Sequence, residues 1–303
     1  MHENELSIDI NLVRILLRTQ FPHWSDLPLE QIHHTGTDNA IFRLGPDLMV
    51  RLPRIHWSVQ QIEKECTWLP RLAPHLPFAI QSPLAMGRPD DTYPWHWSIN
   101  RWYDGDNATL DRIKGRAQMA RGLAHFLRAL QSIDTTGAPG PGAHNVWRGQ
   151  PLRHRDKTVH EALAASEHLI DTAPIRILWE KDSTAPEHDG PPVWIHGDLT
   201  SGNILAKDGR ITAVIDFGCL AAGDPAGDLI VAWNLFDAEM RGIFRGELGL
   251  AADDPRWKRG RAWALVAAIT ALPYYDARNP PLAAAARQTL AAVVADAKYV
   301  ESL

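Results

Sequence analysis

Three oxygen-bearing side chains stand at intervals that chemistry can use. Within HGDLTSGNIL, residues 196–205, Asp198 follows His196 by two positions and precedes Asn203 by five. Thirteen residues past Asn203, the stretch VIDFG supplies Asp216. Asp198 and Asn203 bracket a loop between two apolar runs. The Asp208-Gly209 pair inside KDGR is a strong signal for a primed hairpin turn, so NILA and ITAVID fold back on each other. Asn203 and Asp216 are thereby expected at one end of that hairpin. Hard oxygen ligands suit Mg2+, which keeps several waters and is completed by substrate phosphates. A carboxylate left off the metal can accept a hydroxyl proton. Asp198 as base, with Asn203 and Asp216 as metal ligands, is the layout of a phosphoryl-transfer site. Either motif alone is an ordinary turn. Their order, with the hairpin between them, makes chance a poor account. Gly197 and Gly218 let the backbone bend beside these groups.

The elements that must position them follow from periodicity. Residues 7–21 carry Ile8, Leu12, Ile15, Leu16 and Leu17 at helix spacing, with Ser7 as the expected cap. Two alternating runs, 40–44 and 48–52, flank a Gly-Pro-Asp turn and predict an antiparallel hairpin. Val59, Ile62, Cys66 and Leu69 predict an amphipathic helix over 58–72. WHWSI, 95–99, alternates as a strand, and NRWYDGDN then reads as a linker with Gly105 as its soft point. Helices are expected over 115–133 and 157–170, a short strand over 193–195, and helices after Asp228. The predicted class is α+β with two lobes: a mixed, sheet-bearing lobe over 1–104 and a mainly helical lobe over 105–303.

Composition narrows the alternatives. A net charge of −5 gives no electrostatic reason to expect nucleic acid or an anionic membrane as partner. Two cysteines make a disulfide framework improbable and a reduced cytoplasmic setting the default. The opening MHENELSIDINLV lacks the basic and apolar regions of a signal peptide. Ala262–Pro273 is apolar but too short to cross a bilayer and reads as a buried helix. Most of the twelve tryptophans are expected in the core or a cleft wall.

HGDLTSGN, then IDFG, then GDPAGDL resemble the aminoglycoside and macrolide phosphotransferases, which share a two-lobed protein-kinase-like fold. TGTDNAIFRL, VRLPR, PWHWSINRWYDG, RGQPL and ALPYY extend the resemblance over nearly the whole chain. It implies a Mg2+-dependent kinase that moves the γ-phosphoryl of ATP or GTP to a hydroxyl. Asp198 would be the base, and Asn203 and Asp216 the Mg2+ ligands. His196 would shape the loop, and Asp228 would hold the loop's backbone. Arg51, with Glu65 to orient it, would replace the usual lysine–glutamate pair, Glu63 being the competing acid. The loop at Thr37 would cover phosphates. The backbone of Arg101 and Tyr103 would meet the purine edge. Asp237 and Glu239 fall where the family places acids that contact the acceptor, although a solvated helix face is the better account of them. Tyr275 faces either cleft or core.

Three readings stay open: a small-molecule kinase, a nucleotide-binding pseudokinase, and a metal hydrolase using His196 and Asp198 as ligands. The acceptor ranges from an antibiotic to a metabolic alcohol or sugar, and a monomer or weak dimer is expected.

Overall fold

The computed structural model describes residues 5–32 and 38–301. Helix α1 (Ile10–Gln20) buries Val13, Leu16 and Leu17. Its cap is Asp9 rather than Ser7: the Asp9 carboxylate accepts from Leu12 N at 2.8 Å. A carboxylate there answers both an orphan N–H and the helix dipole. Strands β1 (Leu29–Ile32), β2 (Asn39–Leu44) and β3 (Leu48–Pro53) form a meander. Helix α2 (Val59–Leu72) follows, then β4 (Ala79–Ile80), β5 (Pro83–Gly87) and β6 (Trp97–Arg101). The N-terminal sheet is antiparallel in the order β1-β2-β3-β6-β5. Phe42, Val50, Leu52, Trp97 and Ile99 fill its core against α1.

The remaining elements are β7 (Asp106–Asn107), α3 (Arg116–Gln131), α4 (Asp156–Ser166), α5 (Ala173–Asp182), β8 (Val193–Ile195), β9 (Ile204–Lys207), β10 (Arg210–Val214), β11 (Ala221–Gly223), α6 (Val231–Asn234), α7 (Ala238–Glu247), α8 (Pro255–Tyr275) and α9 (Pro280–Glu301). This α+β architecture matches the sequence reading. Helix α4 stops at Ser166, short of the expected 170, and α5 was not anticipated. A second sheet runs β4-β10-β9-β7, so Ala79–Ile80 leaves the N-terminal sheet and pairs in parallel with β10.

Met119, Leu123, Phe126, Leu127 and Leu130 of α3 join Trp179, Trp194, Trp257 and Trp263 in one large core, bearing out the expected burial of these rings. Buried ion pairs tie α8 to its neighbours. Arg261 holds Asp182 of α5 through two bonds of 2.7 and 3.0 Å and reaches Asp296 of α9 at 3.3 Å. Arg259 grips Asp224 at 2.7 and 3.1 Å. Both Cys66 and Cys219 are free. Among the described residues no helix is long and apolar enough to cross a membrane.

Candidate active site

The loop 196–203 leaves β8, which is paired with β11. Asp228, fully buried, fixes the loop's start by accepting from His196 N at 2.8 Å and Gly197 N at 2.7 Å. Burial raises its carboxyl above the usual range, while the nearby His196 and the two N–H donors work against that. Gly197 has φ +80°, and a side chain there would collide with the backbone of Cys219, so only glycine fits. The His196 ring is sealed in. Its Nε2 bonds Ile215 O at 3.0 Å, Asp198 N donates to its Nδ1 at 3.2 Å, and it packs on Phe217. This network places the proton on Nε2 and leaves neither ring nitrogen free for the Asp198 carboxylate.

Asn203 Nδ2 donates to Asp198 O at 2.8 Å and Asp198 Oδ2 at 3.0 Å, drawing the loop into a closed hook. The Asp198 carboxyl sits above its ordinary value. Burial is the main cause and Asp216 adds to it, while Arg148, His196 and Asn203 pull the other way. In the β9–β10 hairpin, Asp208 (φ +54°) and Gly209 (φ +80°) make the primed turn that Asp-Gly signals. Ile215 N then bonds Asn203 O at 2.9 Å, which sets Asn203 and Asp216 side by side. Asp216 itself adopts φ +60°, unusual for a residue with a side chain, and its carboxylate is 52% exposed. Among the described residues no group of three or more His, Cys, Asp or Glu side chains is arranged to hold a metal. A set of one amide and one half-open carboxylate nonetheless fits an ion such as Mg2+ that retains most of its waters.

Across from this hook lies the cation that the sequence nominated. Arg51, 3% exposed, bonds Glu65 Oε2 at 2.6 Å and reaches Asp216 Oδ1 at 3.4 Å. Asn39, its amide oxygen turned to the guanidinium, accepts from Nε at 3.3 Å and Nη2 at 3.1 Å. Burial works against the charge on Arg51, but Glu65 and Asp216 outweigh it and hold the pKa above the ordinary arginine value. Glu63 points away, bonding His96 at 2.6 Å.

Neighbours that the sequence did not nominate complete the site. Lys64 Nζ donates to Gly218 O at 2.6 Å, and burial pushes its pKa down to about 8 against the charges of Cys219, Glu65 and Asp216. Gln81 Oε1 receives Asp216 N at 3.4 Å. The clue to Lys64 was its place beside Glu65, one residue round the helix; Gln81 gave none.

At the end of β6, Trp102 N donates to Asp47 O at 2.7 Å on the β3 side, so the pleat turns the backbone groups of Arg101 the other way. The Arg101 side chain is exposed, and Tyr103 Oη donates to Ile80 O at 3.1 Å. Thr37 lies outside the described residues. Of the acceptor candidates, Asp237 caps α7 through Met240 N at 2.9 Å and pairs with Arg116 at 2.8 Å. Glu239 is exposed in the first turn of α7. Tyr275 is half-buried at the end of α8, edge-on to Tyr274.

An antiparallel sheet set on a helical body, with the motif loops between them, defines a kinase-like phosphotransferase fold. The chain belongs to the phosphotransferase enzyme family, whose profile it matches over residues 30–269. It is similar to an aminoglycoside 3'-phosphotransferase of Escherichia coli, 26% identical over 115 residues, which are 37% of this chain and 41% of that protein's length. It superposes on aminoglycoside 2'-phosphotransferase-IIIa, solved as its GDP complex, with TM-score 0.73 and 18% identity over 96% of this chain and 100% of that one. The macrolide 2'-phosphotransferase MphH of Brachybacterium faecium gives TM-score 0.59 and 21% identity over 93% and 97%.

Proposed function

We propose that this chain is a small-molecule O-kinase that moves the γ-phosphoryl of ATP or GTP to a hydroxyl. The observation that carries this reading is the hook in which Asn203 binds Asp198 and lies beside Asp216 (Asn203 Nδ2 to Asp198 Oδ2, 3.0 Å). The GDP found with one structural relative agrees with a nucleotide co-substrate.

In this reading Asp198 takes the acceptor's hydroxyl proton as its oxygen attacks the γ-phosphorus, and the nucleoside diphosphate leaves. Asn203 keeps the Asp198 carboxylate aimed, and Asp228 with His196 fixes the loop that carries it. Asn203 and Asp216 would hold Mg2+, which when bound supplies charge neutralisation at the triphosphate. Arg51, oriented by Glu65 and Asn39, meets the phosphates, and the backbone of Arg101 and Tyr103 meets the base. The nucleotide then belongs to residues 1–104 and the acceptor to 105–303.

The test is a mass-spectrometric acceptor screen of the wild type and Asp198→Asn, with Mg2+ and either ATP or GTP. A gain of one phosphoryl group that requires Asp198 is expected. Nucleotide binding with neither Asp198-dependent transfer nor Asp198-dependent hydrolysis would replace the kinase by a pseudokinase.

A further inference from the structure

The chain around residues 145–155 carries two guanidinium groups that form no ion pair with any carboxylate of the described residues. Arg148 sits in a short segment of unusual backbone: Val146 (φ +54°), Trp147 (φ +55°) and Gly149 (φ +82°) all lie in the left-handed region. Such strain persists only where surrounding bonds enforce it. Here Asn145 Nδ2 donates to Arg148 O at 2.9 Å and to Cys219 O at 3.4 Å, and Asp224 N donates to Gly149 O at 3.0 Å. The segment is thus bolted to the chain just beyond Asp216. Its product is an arginine with Nε and Nη1 buried and without a hydrogen-bond partner, lying 5.4 Å from the Trp263 ring centre.

Arg155, only 8% exposed, is the second. Its Nε is also buried and unpartnered, and its guanidinium lies 5.9 Å from the Trp147 ring. Burial lowers its pKa, and the like charge of Arg148 lowers it further. No carboxylate among the described residues forms an ion pair with either. Elsewhere the fold neutralises its buried arginines, as Arg259 with Asp224 and Arg261 with Asp182 show. Guanidinium N–H groups buried without a partner are costly. Of the charges acting on Asp198, Arg148 is the strongest, yet the two form no ion pair. Cys219 O accepts from Asn145 and abuts Gly197, so the segment that carries Arg148 lies against the loop that carries Asp198.

We propose that Arg148 and Arg155 form an oxyanion-binding subsite of the acceptor cleft, so that the acceptor carries a phosphate or carboxylate group besides the hydroxyl it offers. This deepens the kinase reading and rests on it for the word acceptor. Planar guanidinium forks match both anions, and a bound anion cancels the repulsion between them. The same charges oppose a polycationic acceptor. Asp237, engaged by Arg116, is not free to offset them.

The experiment titrates inorganic phosphate, and separately acetate, into protein already saturated with Mg2+ and a non-hydrolysable nucleoside triphosphate, followed by calorimetry. Wild type, Arg148→Met, Arg155→Met and Arg148→Lys are compared. The last keeps the charge without the fork and serves if the methionine variant does not fold. Binding of one anion, weakened tenfold or more by either methionine substitution and partly by lysine, is expected, and the tighter anion names the class. Failure of both anions to bind wild type, or equal binding by the variants, overturns the subsite.

A transfer assay with glucose, glucose 6-phosphate, gluconate and kanamycin separates this from the kinase reading. Preference for an anionic acceptor, with its KM raised tenfold in Arg148→Met, supports the subsite. Transfer to glucose or kanamycin at least as fast as to the anionic acceptors, with KM values unmoved in Arg148→Met, removes the subsite and leaves the kinase. Arginine-dependent anion binding without any Asp198-dependent nucleotide turnover does the reverse.

Discussion

The Arg51 guanidinium spans two elements: it lies 2.6 Å from Glu65 on α2 and 3.4 Å from Asp216, which follows β10. One side chain of the N-terminal sheet therefore reads the position of α2 and of the DFG segment together. Its planar fork makes that possible; an ammonium is a point charge on a flexible stem and cannot hold both directions at once. Arg51→Lys is accordingly expected to raise the nucleotide KM tenfold or more while the fold survives. Steady-state kinetics with nucleotide varied, beside a thermal melt, checks it; an unchanged KM would detach Arg51 from the phosphates.

Asp228 has no contact with the proposed reacting atoms, yet it satisfies two buried N–H groups. Asp228→Ala leaves both without a partner, at about 1–3 kcal/mol each. The expected result is a loss of roughly 3 kcal/mol in stability together with a fall in kcat, since the loop bearing Asp198 is released. Chemical denaturation and kcat measured on the same preparation test the pairing of the two losses. A stable variant with normal kcat would show that the loop holds itself.

Lys64 gives a pH signature. Its folded pKa is lowered to about 8 from 10.5, so between those values the unfolded state binds more protons and stability rises with pH. The cost of burying the charge is fully present below pH 8 and absent above 10.5. Cys66 and Cys219, pushed up to about 12 from 9.0, act oppositely at high pH, so the informative quantity is a difference between proteins. In metal-free, nucleotide-free protein, the stability of wild type minus that of Lys64→Met should increase between pH 7.5 and 10 by on the order of 2 kcal/mol. A pH-independent difference would mean that Lys64 is well solvated.

Asp182→Ala strands Arg261, which would keep only its 3.3 Å contact to Asp296. Breaking one side of a buried pair costs about 3–5 kcal/mol, more than the pair itself contributes. Asp182→Ala paired with Arg261→Met should recover most of that loss. Denaturation midpoints of the two single variants and the double variant decide, and a double variant no more stable than Asp182→Ala would contradict the argument.

Much of this was legible because its causes are local. The Asp208-Gly209 turn dictates a two-residue hairpin whatever surrounds it, and that hairpin sets Asn203 beside Asp216. The three-to-four spacing gave α2, and the resemblance chose Glu65 over Glu63 as the partner of Arg51; the 2.6 Å bonds of Glu65 to Arg51 and of Glu63 to His96 agree. What escaped depends on contacts between distant segments. Asn39 and Gln81 look like ordinary polar residues until strand pairing brings them to Arg51 and Asp216. Asp237 looked available for an acceptor, but Arg116, 121 positions away in sequence, engages it. Helix α5 has only Ile175, Leu178 and Trp179 as its buried apolar side chains, too few for a clear period. Asp9 displaced Ser7 as a cap because the first turn begins later than the apolar spacing suggested.

The parallel pairing of Ala79–Ile80 with β10 has a mechanical meaning. Tyr103 Oη fastens the linker to this short strand at Ile80 O. Leu69 and Leu72 of α2 lie in the large core, and Lys64 Nζ donates to Gly218 O, so α2 is anchored in the body as firmly as β4 is. The Arg51–Glu65 pair is therefore a seam: it ties the N-terminal sheet to a helix that the body already holds.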